Sequence, residues 1–215
     1  MLEFFEKGGI MMYPLVLSSV LALTVAVERI WNLRRKKILI PDIITVLEQV
    51  NRTEDFSLAR SVCQKFSGPF PHIVTSCIDN RDLPSEELRV TVEDEGRQQV
   101  RRLTRGLGVL ETVAGIAPLL GLLGTVLGMI QVFAIIQEMG VGQAKALSGG
   151  ISEALITTAT GLFIGIPSLI AYNYFNSRSD SLILDIEKYT LLLLNKITRM
   201  KSGAKEQIQL NLRSE

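Results

Sequence analysis

The chain of 215 residues is 47% hydrophobic and 21% charged, with 23 basic side chains against 22 acidic ones. That near balance gives no electrostatic argument for nucleic-acid binding, and no P-loop, nucleophile elbow or GxGxxG turn points to nucleotide-driven or hydrolytic chemistry. The charges are segregated instead: Gly8 to Val27, Thr112 to Gln137 and Ala154 to Ser177 contain none, and each stretch can cross a bilayer core, which needs about 20 apolar residues in a helix.

In chain order, residues 1–7 precede a first span at 8–31. Glu3, Glu6 and Lys7 lie before the apolar run and Arg29, Arg34, Arg35, Lys36 and Lys37 after it, the reverse of a signal peptide. The positive-inside tendency then puts the N-terminus outside and the basic cluster in the cytoplasm. That cluster needs no further role than topology and contact with anionic lipid headgroups.

Residues 32–105 are expected to form a cytoplasmic helical domain, with short amphipathic patterns such as Ala59, Val62, Cys63 and Phe66 and breaks at Pro69, Pro71 and Pro84. His72 sits between prolines with no second histidine to make a metal site. Cys63 and Cys77 are fourteen apart without a CxxC, and on the cytoplasmic side they read as free thiols. Glu86 and Glu87 favour a helix start after Ser85, and no proline follows before Pro118. One long helix is therefore expected to run from the cytoplasm into the second span, 106–137. Arg97, Arg101, Arg102 and Arg105 precede that span, and Glu111 at its start reads as interfacial packing or an ion pair with Arg105 or Arg101.

Residues 138–152 carry only Glu138 and Lys145 and suit an outer loop. The third span covers 153–177, with Arg178 following on the cytoplasmic side. In 178–215, a C-terminal helix and tail, Leu182, Ile186, Tyr189 and Leu193 recur at four, three and four residues, the seam of a packed helix that frays near Lys201. The fold class is all-α: an integral membrane protein with three transmembrane helices, N-out/C-in, and long helices extending into the cytoplasm.

Small residues mark the second and third spans: Pro118, Gly121, Gly124 and Gly128, then Gly161, Gly165 and Pro167. Gly124 with Gly128 and Gly161 with Gly165 form GxxxG, which lets helix backbones approach closely in lipid, within one chain or between chains. Glu153 stands where the third span opens, and a carboxylate at such a place is costly unless it faces water, a partner or a pathway. At the outer end of an inward-running helix it can also be favoured by the N-terminal dipole and interfacial water. At about 100° per residue, Thr157, Thr160 and Pro167 share the face of Glu153, while Thr158 falls about 140° away and points to a different neighbour.

The ordered set Ile116-Ala117-Pro118, Gly121 to Gly128 with Thr125 inside it, Ile151-Ser152-Glu153-Ala154-Leu155 and Ile166-Pro167 resembles the MotA/TolQ/ExbB proton-channel family. The resemblance covers all three spans, including the Val27-Glu28-Arg29 exit of the first, and is closest to the three-span ExbB/TolQ branch. It implies a multi-pass protein of the bacterial inner membrane whose outer segments are periplasmic. It also implies a homo-oligomer, a pentameric ring, around an ExbD/TolR-like single-span partner with a membrane aspartate, driving a TonB- or TolA-like protein. Thr125, Glu153 and Thr158 would then be ion-pathway positions, and the angular reading adds Thr157. The coupling ion would be H⁺ or Na⁺, with no other cofactor and no enzymatic activity. A non-conducting membrane scaffold is the alternative of a different class. Within the family a flagellar-stator-like subunit is the other candidate, although that type has four spans and a larger cytoplasmic insertion.

Overall fold

The computed structural model describes residues 8–50, 54–140 and 144–214; the expected N-terminal segment 1–7 lies outside the described residues. Among these, every regular element is a helix: α1 (Met12–Asn32), α2 (Arg35–Ile38), α3 (Pro41–Gln49), α4 (Asp55–Cys63), α5 (Pro69–Asp79), α6 (Ser85–Thr104), α7 (Leu107–Met139) and α8 (Ala144–Ser214). The chain divides into two compact units. One takes the described residues up to Trp31 with Gly106–Asn176; the other takes Asn32–Arg105 with the residues from Ser177 on.

In the first unit α1, α7 and the first half of α8 come together, and all three helices are long and apolar enough to cross a membrane. α1 buries a narrow stripe of Met12, Leu15, Ala22 and Arg29 and exposes Tyr13, Leu17, Leu23 and Trp31. A helix in lipid can do this, because hydrocarbon is as good a solvent for leucine as a protein core is. Pro14 falls in the first turn, where no intrahelical partner is lost.

α7 and α8 pack antiparallel through their small residues. A β-carbon placed on Gly161 would lie 2.5 Å from Ala117 O, one on Gly165 2.7 Å from Pro118 Cγ, one on Gly121 3.0 Å from Thr158 Cα, and one on Gly128 2.9 Å from Ala154 Cβ. The glycines that sequence left open between packing within and between subunits are thus used within the chain. Pro118 joins this seam by touching Gly165. Pro167 does not: it is exposed on the far side of α8, and its effect there is to withhold a donor from the carbonyl four residues back.

In the second unit α3, α4, α5 and α6 pack each on the next around Ile43, Leu47, Phe70, Ile73, Val74 and Leu88, all at most 2% exposed. The second half of α8 adds Leu182, Ile186 and Leu193 as a buried seam, with the Tyr189 ring 6.1 Å from that of Phe70. Arg35 pairs with Asp185 at 2.8 Å. Lys196 closes the C-terminal end of α3, its Nζ donating to Leu47 O at 2.8 Å, Glu48 O at 2.6 Å and Val50 O at 2.9 Å. Lys201 Nζ donates to Leu83 O. Cys63 and Cys77 are buried free thiols, and His72 is exposed on α5.

Three expectations change. The single helix from Ser85 into the second span is two helices, because Arg105 turns to ψ 134° and Gly106 takes a left-handed φ of 82°, a conformation that costs other residues about 1–2 kcal/mol. The C-terminal helix continues to Ser214 instead of fraying near Lys201. α8 begins at Ala144, so much of 138–152 is helix rather than loop.

Candidate functional site

Because α8 starts at Ala144, Glu153 stands in its third turn. The helix dipole acts within the first turn, so it does not account for a carboxylate here. Glu153 is half-buried, and its side chain lies against Gly9 in the turn that leads into α1. A β-carbon on Gly9 would overlap Glu153 Oε1 and lie 2.7 Å from Cδ and 3.4 Å from Cγ.

The threonines divide differently from the helical-wheel expectation. Thr157 is 1% exposed and packs on Gly124, whose β-carbon would lie 2.6 Å from Thr157 Cβ. Its hydroxyl donates back to Glu153 O at 3.1 Å or Ala154 O at 2.9 Å. Thr158, expected to point to a different neighbour, faces the same helix as Thr157: its Oγ1 donates across to Gly121 O on α7 at 2.9 Å. The close approach that the glycines permit widens the contact until two successive positions of α8 fall inside it. Thr158 is the only one of these hydroxyls that crosses between helices.

Thr160 turns away from the seam. Its hydroxyl donates to Ile156 O at 2.8 Å, and the side chain lines an open groove of about 740 Å³ along α8 with Ser148, Ser152, Ile156, Ala159 and Phe163. Thr125 follows Gly124 but sits off the seam, half-exposed, donating to Leu122 O at 2.5 Å. The structure therefore brings Thr157 and Thr158 together at the α7–α8 contact, sets Glu153 against Gly9, and leaves Thr125 and Thr160 at the surface. Glu111 is exposed and takes part in none of the ion pairs among the described residues. No group of three or more metal-ligating side chains occurs among the described residues.

Sequence reasoning missed two features. Ser148 and Ser152 lie in the stretch expected to be a loop, where a spacing of four carries no weight; the apolar periodicity is interrupted there by Gly149 and Gly150. The pair Gly8-Gly9 falls inside the expected first span, although adjacent glycines at a helix entry signal a tight backbone, and the helix begins only at Met12.

Residues 64–188 match the MotA/TolQ/ExbB proton channel family. The chain belongs to that family. The match takes in α7 and the first half of α8, so the glycine seam, Glu153 and the threonines all lie inside it. Among individual relatives, ExbB-like 1 of Synechocystis sp. is 36% identical over 177 residues, 80% of this chain and 69% of that protein. The biopolymer transport protein ExbB of Aquifex aeolicus is 43% identical over 90 residues, 42% of this chain and 61% of that protein. The biopolymer transport protein ExbB of Neisseria gonorrhoeae is 35% identical over 103 residues, 48% of this chain and 47% of that protein. With three apolar spanning helices, this family member is a multi-pass membrane protein.

Proposed function

We propose that the chain is the ring-forming subunit of an ion-gradient-driven motor in a bacterial inner membrane, oriented N-out/C-in. Several copies, five in the closest branch, surround a single-span partner of the ExbD/TolR type, whose membrane aspartate carries the proton. The ring passes the resulting motion to a TonB- or TolA-like protein that reaches across the periplasm. The coupling ion is H⁺ or Na⁺, the chain holds no other cofactor, and it does no covalent chemistry.

The observation that supports this reading is where the polar groups of the spans lie. Hydroxyls buried in the α7–α8 seam serve packing, but Thr125 on α7 and Ser148, Ser152 and Thr160 on α8 are on the surface of the single chain. Such a surface is better matched by another helix or by water than by lipid tails. Glu153 flanks the same stretch of α8 and tunes ion access at its outer end. One charge crossing the membrane releases about 2.3 kcal/mol per 100 mV, enough to bias the rotation of a helix within a ring.

The test is ion flux. Co-expressed with a single-span partner bearing a membrane aspartate, the protein is expected to conduct H⁺ or Na⁺, and Thr125→Val or Glu153→Ala to reduce the flux without lowering the amount of protein in the membrane. Absence of flux with every such partner, or full flux in both variants, would leave the non-conducting scaffold as the better account.

A further inference from the structure

The Glu153 carboxylate occupies the space that a side chain at position 9 would need. Gly9 has a left-handed φ of 62°, and a β-carbon built there overlaps Glu153 Oε1. Gly8, next to it, is buried, and a β-carbon there would lie 2.6 Å from Met12 Sδ. The turn is held on the other side by its entry into α1, where Met12 N donates to Gly9 O at 3.1 Å and Leu15 is fully buried. Neither the turn nor α1 can therefore yield easily to a larger residue at position 9, whereas the Glu153 side chain, with three rotatable bonds, can.

We propose that Gly9 is a positioning residue for Glu153: by lacking a side chain, it lets the turn before the first span lie on the carboxylate and fix its place on α8. This rests on the reading of Glu153 as the group that tunes ion access. Proton and cation pathways depend on side chains held to within about half an ångström. A residue that displaces the carboxylate by more than that alters passage without touching the ion.

Two sets of variants test this. In the first, Gly9→Cys with Glu153→Cys is treated with a mild oxidant. The Glu153 Cγ lies 3.4 Å from where a β-carbon on Gly9 would stand, so a disulfide is expected and is read as a linked peptide pair. No linkage overturns the contact and the proposal with it.

In the second, flux is measured with the co-expressed partner and corrected for the amount of protein in the membrane. Gly9→Ala is expected to lower flux on the order of tenfold, and Gly9→Ala with Glu153→Asp to recover most of it, because the shorter acid withdraws its carboxyl carbon to about the distance of the present Cγ. In a Glu153→Ala background the same change at position 9 is expected to cost nothing further. Equal losses in the Glu153 and Glu153→Ala backgrounds, or no gain from Glu153→Asp, would mean that Gly9 serves the turn alone and would overturn the proposal. Full flux in Glu153→Ala by itself overturns the underlying reading of Glu153, and is seen with Gly9 untouched.

Discussion

Substitution of one glycine by alanine at two places in the spans separates the effect of the seam from that of helix propensity. At Gly161 the new β-carbon would sit 2.5 Å from Ala117 O and 3.0 Å from Gly121 Cα, against an ordinary contact of 3.4 Å or more. Both neighbours are backbone, so no rotamer change relieves the clash, and α7 and α8 must part locally by several tenths of an ångström. A gap of about 0.5–1 Å forfeits a quarter to a half of each dispersion contact across it. Overpacking of this kind costs about 1–3 kcal/mol. Parting the helices also stretches the Thr158 to Gly121 hydrogen bond, and such bonds between membrane helices are worth about 0.6 kcal/mol on average. Against this, alanine returns up to about 1 kcal/mol of helix propensity.

Gly115 lies on the same helix as Gly121, but a β-carbon there meets nothing within 4 Å. Gly115→Ala should therefore collect the propensity gain alone. The two variants are expected to differ by about 2–4 kcal/mol, which in a protein of this size separates their melting midpoints by roughly 5–15 °C. Thermal unfolding in detergent, followed by helical circular dichroism, measures the difference. Coincident melting curves would refute the assignment of the glycine seam to packing within the chain.

Three further predictions concern the second unit. Lys196→Met removes the cation that serves three carbonyls at the end of α3; charge-assisted bonds of this kind are worth about 1.5–3 kcal/mol, so amide hydrogen exchange in α3 should quicken on the order of tenfold to a hundredfold, and unchanged exchange would count against the cap. Burial pushes the thiol of Cys63 up to about 11, a hydrogen bond from Thr75 opposing it, and that of Cys77 up to about 12, with Lys201 opposing. Thiol labelling at pH 8 is therefore expected to be at least about a hundredfold slower in the folded protein than in denaturant. Because both folded values lie above the unfolded one of 9.0, the contribution to stability is whole below pH 9 and falls by roughly 1 kcal/mol per thiol per pH unit as pH rises from there through the folded values. Alkaline titration of the unfolding free energy checks this, and a Cys63→Ala, Cys77→Ala variant should lose that part of the slope.

The elements most legible in the sequence were those written in long runs of one character. Three charge-free stretches announced three apolar helices, and the seam of Leu182, Ile186 and Leu193 was visible as a spacing before it was visible as burial. The GxxxG pairs announced close approach, but spacing carries no information about which helix approaches; contacts such as that of Gly161 with Ala117 and Gly121 decide it. The break at Gly106 is not announced by a proline, the stop signal on which the expectation of one long helix rests. The break falls at the left-handed backbone of Gly106, where a β-carbon would lie 3.6 Å from Val25 Cγ1 and 3.7 Å from Arg29 Nη2, residues far away in sequence. Thr157 departs for a related reason: Thr158 does face a neighbour other than that of Glu153, but Thr157 faces α7 with it, because a helical wheel treats a neighbour as a line, whereas a glycine-lined neighbour comes near enough to take in a wider arc.

The distribution of hydroxyls bears on what kind of ion such a surface can accept. Thr125 and Thr160 each donate their proton to a carbonyl of their own helix, as threonines in apolar helices commonly do. A hydroxyl has one donor and two acceptor lone pairs, so once the proton is committed to the backbone the oxygen offers acceptors alone. A face built from such groups is electron-rich without carrying a formal charge, and avoids the desolvation cost that a buried carboxylate would bring. It suits a hydrated cation or a chain of waters bearing a proton, and it suits an anion poorly. Thr158 is the contrast: its proton is given to Gly121 O on α7, so any movement that parts the two helices frees a donor and an acceptor together. In the proposed motor the exposed hydroxyls are thus a passive lining, whereas Thr158 can respond to helix separation, and Glu153, fixed against Gly9, is the one charged side chain of the site.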